Sequence, residues 1–364
     1  MRRKLVAVAT AGLLTLSGLA GCDDDDASTA SGGGAGKVGV ILPDTTTSQR
    51  WGSDDPKLLR AAFEAAGVPV DIRNAQGDAG NFAKIANDMI SGGAKVLMIV
   101  SLDAASGKAV LDKAKAAGVK TIDYDRLTLN GNADYYVSFD NVEVGRMQGR
   151  GLVKCLDAKG VENPRIVYLN GAPTDNNATL FREGYDEILQ AKYDEGTFLK
   201  GPDQSVPRWN NDDGRFIFEQ MWAQTEGKID GVLAANDGLG NAAITVLKRE
   251  GVNGTIPVTG QDAETQGLQN ILAGDQCMTV YKPIKKEAEA AARLAISLYK
   301  GEKPAGADRR VKDPESGGYV DSVLLNPTQV FKKDVAKVIA DGFVDKRIVC
   351  TGTYAKYCRT NGIQ

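Results

Sequence analysis

The sequence predicts an α/β fold of two doubly wound parallel sheets, and three observations predict it. From Lys37 onward short apolar runs alternate with amphipathic stretches. The apolar runs show few surface alternations, as strands buried on both faces do. The rhythm also restarts after about residue 135, and the 328 residues from Lys37 are more than one usual core holds.

Taken in order, VGVIL (38–42) reads as a strand and LLRAAFEAAG (58–67) as a helix stopped by glycine. VPVDIR (68–73) and NFAKIANDMISGG (81–93) form the next strand and helix, followed by KVLMIVS (95–101) and AVLDKAKAAG (109–118). VKTIDYD (119–125) and YYVSFD (135–140) are further strands. The second series runs through helix 142–156, strand RIVYLN (165–170), helix 178–190 and an irregular segment, GPDQSVPRWNND. A helix near 213–226, strand IDGVLAA (229–235), helix 241–251, strand TIPVTG (255–260) and strand MTVY (278–281) follow. Repeated βα units of this kind build open sheets whose ligands lie beyond the carboxyl ends of the strands.

The amino terminus has a separate role. Arg2, Arg3 and Lys4 precede an apolar stretch from Leu5 to Leu19, the layout of a secretory signal peptide over residues 1–21. That stretch is short of the ~20 residues a membrane span needs. Leu19-Ala20-Gly21-Cys22 resembles the lipobox of bacterial lipoproteins, which implies a lipid on Cys22 and an extracytoplasmic protein anchored to the plasma membrane. Residues 22–36, rich in Asp, Gly and Ser, read as a flexible linker.

Composition narrows the chemistry. A formal charge of −3 with mixed signs, and no basic run interleaved with aromatics, argues against nucleic acid. The chain has no histidine, which removes the usual base of Ser-His-Asp and Cys-His sites and any imidazole zinc site. No metal and no cofactor is expected. Apart from Cys22, the cysteines are Cys155, Cys277, Cys350 and Cys358, an even number in an exported chain. Three pairings are open; Cys350 with Cys358 is favoured as a staple for a core-poor tail, leaving Cys155 for Cys277.

The strand ends share one character. They deliver Asp125-Arg126, Asp140-Asn141, Asp175-Asn176-Asn177, Asn236-Asp237, Gln261-Asp262 and Lys282, while the first strand opens into a loop with Arg50 and Trp51. Asp and Asn are common helix N-caps at such places. Caps alone do not explain the added Arg and Lys. Carboxylates, amides and guanidinium forks match a ring of hydroxyls, each both donor and acceptor, and tryptophans such as Trp51 and Trp209 suit its C–H face.

The segments DYDR (123–126), YVSFDNVEVG (136–145), GAPTDNNATLFREG (171–184), AANDG (234–238), TGQDAE (259–264) and MTVYKP (278–283) resemble the xylose-binding proteins of bacterial ABC transporters, members of the type I periplasmic-binding family. The likeness spans about Lys37 to Phe343; the cysteine-bearing tail beyond it has no counterpart in the resemblance. It implies two lobes joined by three crossings, 37–138 plus 282–321 and 139–281 plus 322–364, with crossings near Phe139, Tyr281 and Asp321. By the same analogy Arg50, Asp125, Arg126, Asn177, Trp209, Asn236, Asp262 and Lys282 would touch a monosaccharide, D-xylose first, with Trp51, Asp140, Asn176 and Asp237 next in line. The resemblance implies a monomer, not an enzyme, that delivers its sugar to a transporter permease. Other readings are a binder of ribose, arabinose, galactose or glucose, a sugar sensor for a membrane receptor, and a glycoside hydrolase using Asp125 and Asp262.

Overall fold

A computed structural model describes residues 36–363; the signal peptide read at 1–21, the lipid site at Cys22 and all of the linker except Gly36 lie outside the described residues. Twelve strands are described: β1 (Lys37–Leu42), β2 (Val70–Asn74), β3 (Ala94–Ile99), β4 (Lys120–Tyr124), β5 (Tyr135–Phe139), β6 (Arg165–Asn170), β7 (Leu199–Ser205), β8 (Gly231–Ala234), β9 (Met278–Tyr281), β10 (Arg309–Lys312), β11 (Tyr319–Leu325) and β12 (Thr328–Phe331). The helices are α1 (Asp55–Ala65), α2 (Ala79–Ser91), α3 (Ala104–Ala116), α4 (Asn141–Lys159), α5 (Asn176–Asp194), α6 (Asn211–Gln224), α7 (Asp237–Arg249), α8 (Thr265–Ala273), α9 (Ile284–Lys300), α10 (Val335–Ala340), α11 (Lys346–Val349) and α12 (Tyr354–Thr360).

The first sheet has the order β10-β11-β5-β4-β3-β1-β2, parallel throughout except for the antiparallel edge strand β10. A second sheet runs β7-β6-β8, all parallel. Beside β8 the 255–260 segment makes only an isolated parallel bridge, Val232↔Val258. It is nonetheless bonded on both sides, since Thr259 N donates to Val232 O at 3.0 Å and Cys277 N to Val258 O at 2.9 Å. That segment therefore links β8 to the antiparallel pair β9–β12. Central strands such as β1 and β6 are buried after their first residue, as strands covered by helices on both faces must be.

The chain passes between the sheets three times: after β5, between β9 and α9, and between β11 and β12. Helix α9 packs its alanines Ala288, Ala291 and Ala295 into the same core as Val38, Val96 and Tyr124. The sequence reading puts the third crossing near Asp321, but β11 stays paired to β5 through Leu325↔Phe139, so Ser322–Leu325 stand on the first sheet. Four strands escape the sequence reading: β7, β10, β11 and β12. β7 is an edge strand, LKGPDQS, without a fully buried residue, and its Pro202 and polar content resemble a loop.

Helix starts are well defined. The side chains of Asp78, Asp103, Asp140, Asp175, Asn210 and Asn236 each accept a backbone N–H in the first turn of the helix they precede. Both expected cysteine pairs form: Cys155–Cys277 joins α4 to the approach of β9, and Cys350–Cys358 ties α11 to α12. The stapled tail covers α8 in a small core of its own, where Val349, Cys358 and Ile363 meet Leu268 and Leu272. Among the described residues no helix is long and apolar enough to cross a membrane, and no group of three or more His, Cys, Asp or Glu could hold a metal ion.

Candidate functional site

The carboxyl ends of strands from both sheets open on one shared cavity. The loop after β1 supplies Thr47, Ser48, Arg50 and Trp51, and the end of β4 supplies Asp125 and Arg126. From the second sheet come Asp175, Asn177 and Phe181 after β6, Trp209 after β7, Asn236 after β8, Gln261 and Asp262 before α8, and Lys282 after β9.

Three of these residues stand in the left-handed backbone region: Asp125 at φ 64°, Trp209 at φ 57° and Asp262 at φ 96°. Such conformations are disfavoured for side-chain-bearing residues and persist only where surrounding contacts impose them. For Asp125 the contacts are explicit. Its N–H donates to Val137 O at 2.8 Å, and its carbonyl accepts from Ser138 Oγ at 2.8 Å, Asn177 Nδ2 at 3.0 Å and Tyr136 OH at 3.1 Å. The Trp209 ring lies so close over Gly171 that a Cβ there would fall 2.0 Å from it, which explains the glycine. Trp209 Nε1 donates to Asp175 Oδ2 at 3.1 Å, and the indole belongs to the second-sheet core as well as to the cavity wall.

Charge organises the other wall. Arg50 spends Nε and Nη2 on Asp55, both at 2.9 Å, Nη2 also on Glu287 at 2.7 Å, and Nη1 on Asp125 Oδ2 at 2.8 Å. A guanidinium has five N–H groups, so one on Nη1 remains for a ligand. Its face lies 4.1 Å over the Trp51 ring, and Tyr124 OH donates to Asp55 from behind. Lys282 Nζ stands 3.1 Å from Asp262 and 4.0 Å from Asp125. Arg126 Nε is 3.0 Å from Asp175 Oδ2 but out of line for a hydrogen bond.

Burial alone would raise the Asp125 carboxyl; Arg50, Lys282 and Arg126 together outweigh it and hold the group below its ordinary value. Burial would likewise lower Lys282, and Asp262 and Asp125 reverse it. Just outside the cavity, burial and then the Asp262 charge push Glu264 up to about 7. Behind the cavity, burial raises Glu287 to about 8 against the pull of Arg50. The arrangement offers fixed ionised acceptors, amides and cations around a small space.

Of the twelve residues singled out from the sequence, nine line this cavity: Arg50, Trp51, Asp125, Arg126, Asn177, Trp209, Asn236, Asp262 and Lys282. Asp140, Asn176 and Asp237 do not. Asp140 caps α4, accepting from Glu143 N at 3.0 Å, and Asn176 is the first residue of α5, beside the cavity-lining Asn177. Asp237 is fully buried beneath the site, where its carboxyl accepts from Gln276 Nε2 at 2.7 Å, Glu264 N at 2.9 Å and Thr279 Oγ1 at 3.1 Å. Its N–H donates to Gln261 O at 2.9 Å, so Asp237 brackets the turn that carries Asp262. Five lining residues are absent from the sequence selection: Thr47, Ser48, Asp175, Phe181 and Gln261. Asp175 and Gln261 stand in the same strand-end clusters, and Phe181 follows Asn177 by one helical turn, a spacing that puts both on one face.

The model of the periplasmic binding protein domain family matches residues 38–303. The chain is 34% identical over 308 residues to the D-xylose-binding periplasmic protein of Escherichia coli (strain K12), covering 84% of this chain and 90% of that protein. It is 33% identical over 322 residues to the multiple sugar-binding periplasmic receptor ChvE of Rhizobium radiobacter, covering 84% and 90%. Among solved structures, an ABC transporter solute-binding protein from Clostridium phytofermentans with bound β-D-glucose superposes with a TM-score of 0.78 at 27% identity, covering 86% of this chain and 99% of that one. By sequence match and by architecture, the chain belongs to the periplasmic binding protein domain family, a family of extracytoplasmic binding proteins and not of enzymes.

Proposed function

We propose that this protein captures a monosaccharide, D-xylose first, in the cavity between its two sheets and delivers it to an ABC transporter. The carrying observation is the convergence of Arg50, Asp125 and Arg126 from one sheet with Asn177, Asn236 and Asp262 from the other on one shared cavity. Those six side chains, with Trp51, Trp209 and Lys282, are the proposed sugar contacts. Xylose ranks first because the Escherichia coli relative is named for it. A broader sugar range is the second reading, supported by the multiple-sugar receptor and the glucose-bound neighbour.

In this reading residues 37–138 and 282–325 form one lobe and the rest of the described chain the other, and sugar favours their closure. A ligand shifts such an equilibrium only by its difference in affinity for the two states. At about 1.5–3 kcal/mol for each hydrogen bond to a charged group, two or three bonds across the cleft suffice. Lipid on Cys22 would keep the protein beside its transporter, and a monomer meets every need of the scheme. Calorimetry against a panel of pentoses and hexoses tests the proposal: saturable binding of xylose, or of a small set including it, is expected. A folded protein that binds none of them refutes it.

A further inference from the structure

A second cavity adjoins the first. Ser48, Arg50 and Asp262 line both spaces. At the shared edge Ser48 Oγ donates to Glu264 Oε1 at 2.9 Å, a contact between the loop after β1 and the turn before α8. The character of the wall changes beyond this edge. The inner cavity is dominated by charged and amide groups, whereas the outer one combines Ile284, Phe343, Val344 and Ile348 with Asp54, Lys57, Glu264 and Asp345.

Three of those apolar residues come from the segment between α10 and the end of α11, beyond residue 303 where the family match stops. The segment is fixed in place. Phe343 stacks edge-on against Tyr281 with centroids 4.8 Å apart, and Gln269 Nε2 donates to the carbonyls of Ile348 and Val349 at 3.1 and 3.2 Å. The Ile348 side chain is left 57% exposed. Apolar and aromatic side chains mixed with carboxyls and an ammonium are the groups that a pyranose ring matches, through its C–H faces and its hydroxyls.

We propose that the outer cavity is a subsite for a second sugar ring, so that the protein takes a disaccharide with one ring in the inner cavity and the other against the tail. This rests on the sugar-binding reading of the inner cavity. The Ser48–Glu264 hydrogen bond is the door between the two spaces: it opens for a glycosidically linked ligand and stays closed over a free monosaccharide. The tail residues from Phe343 to Ile348 supply the outer wall.

Xylobiose is the probe, because its two ends present either the O1 or the O4 side of the inner ring to the passage. Calorimetry with xylose and xylobiose is compared for the wild type and for Ile348→Asp, with thermal unfolding as a check on the fold. The expected result is xylobiose binding that weakens about 10-fold in the variant, the size of one lost apolar side-chain contact, with xylose binding unchanged. Xylose binding without xylobiose binding overturns the subsite and leaves the inner site standing. Equal weakening of both sugars, or of neither, also overturns it. Failure of both sugars with the wild type removes the inner-site reading and the subsite with it.

Discussion

The two walls of the inner cavity are held by different physics. On the first-sheet side, Arg50 is locked by three buried carboxylates, Asp55, Asp125 and Glu287, and by the Trp51 face. On the second-sheet side, Asn236 and Asp175 are positioned as helix caps, with Leu239 N to Asn236 Oδ1 at 2.8 Å and Asn177 N to Asp175 Oδ1 at 3.0 Å. One wall is preorganised by charge, and the other by the starts of the helices that follow its strands. In the proposed reading cap and ligand roles coexist: Asn236 caps α7 through its side-chain oxygen and also lines the cavity.

The largest effect is expected from breaking the charged wall. Asp55→Ala removes the two-point partner of Arg50, and loss of one member of a buried ion network costs about 3–5 kcal/mol. Denaturant unfolding should show that loss, and sugar binding should fall with it. Asp262→Asn comes next. Asn tolerates the left-handed backbone, so the change removes the charge facing Lys282 and weakens sugar binding by about 1–3 kcal/mol, roughly 5- to 150-fold, with a smaller effect on unfolding. The capped wall gives a finer test. Asn236→Ala should cost about 1 kcal/mol of stability and also weaken sugar binding, whereas Asn236→Ser should restore the cap and not the affinity. If serine restores both, the amide has no ligand role.

The smallest expected effect is on pH. In the structure described, Glu264 is raised to about 7, first by burial and then by Asp262, with Ser48 and the Gln49 backbone opposing and Asp54 adding to the rise. Opening the cleft exposes Glu264 to water and returns it toward the ordinary carboxylate range, so closure takes up a proton. A group raised in the closed state favours closure most below its open-state value and loses that contribution as pH rises through about 7. Sugar affinity should therefore decline modestly between pH 5 and about 8, and Glu264→Gln should flatten the profile. An affinity that rises with pH over that range would contradict the sign.

Much of this was legible in the sequence because the periodicities are strong. Strands such as RIVYLN coincide with β6, and the strand-end clusters marked nine cavity residues by residue type and position. What escaped has physical reasons. β7 lies at an edge and needs no buried face, and TIPVTG is tied to its neighbours without forming a regular ladder. Asp237 carries the same signal as Asn236, yet the first turn of α7 aims one at the cavity and the other at the support beneath it. Sequence neighbours on a helix point in different directions, and no composition argument separates them. The stapled tail was visible through its cysteines, but the pocket it walls gathers residues about 290 positions apart, such as Asp54 and Val344.

The central claim is that a sugar replaces water between these two walls. A crystal structure of the protein with saturating xylose tests it most directly. The ring is expected between Arg50, Asp125 and Arg126 on one side and Asn177, Asn236 and Asp262 on the other, within hydrogen-bond distance of both sets. A sugar bound elsewhere, or held by one wall alone with the cleft open, would contradict it.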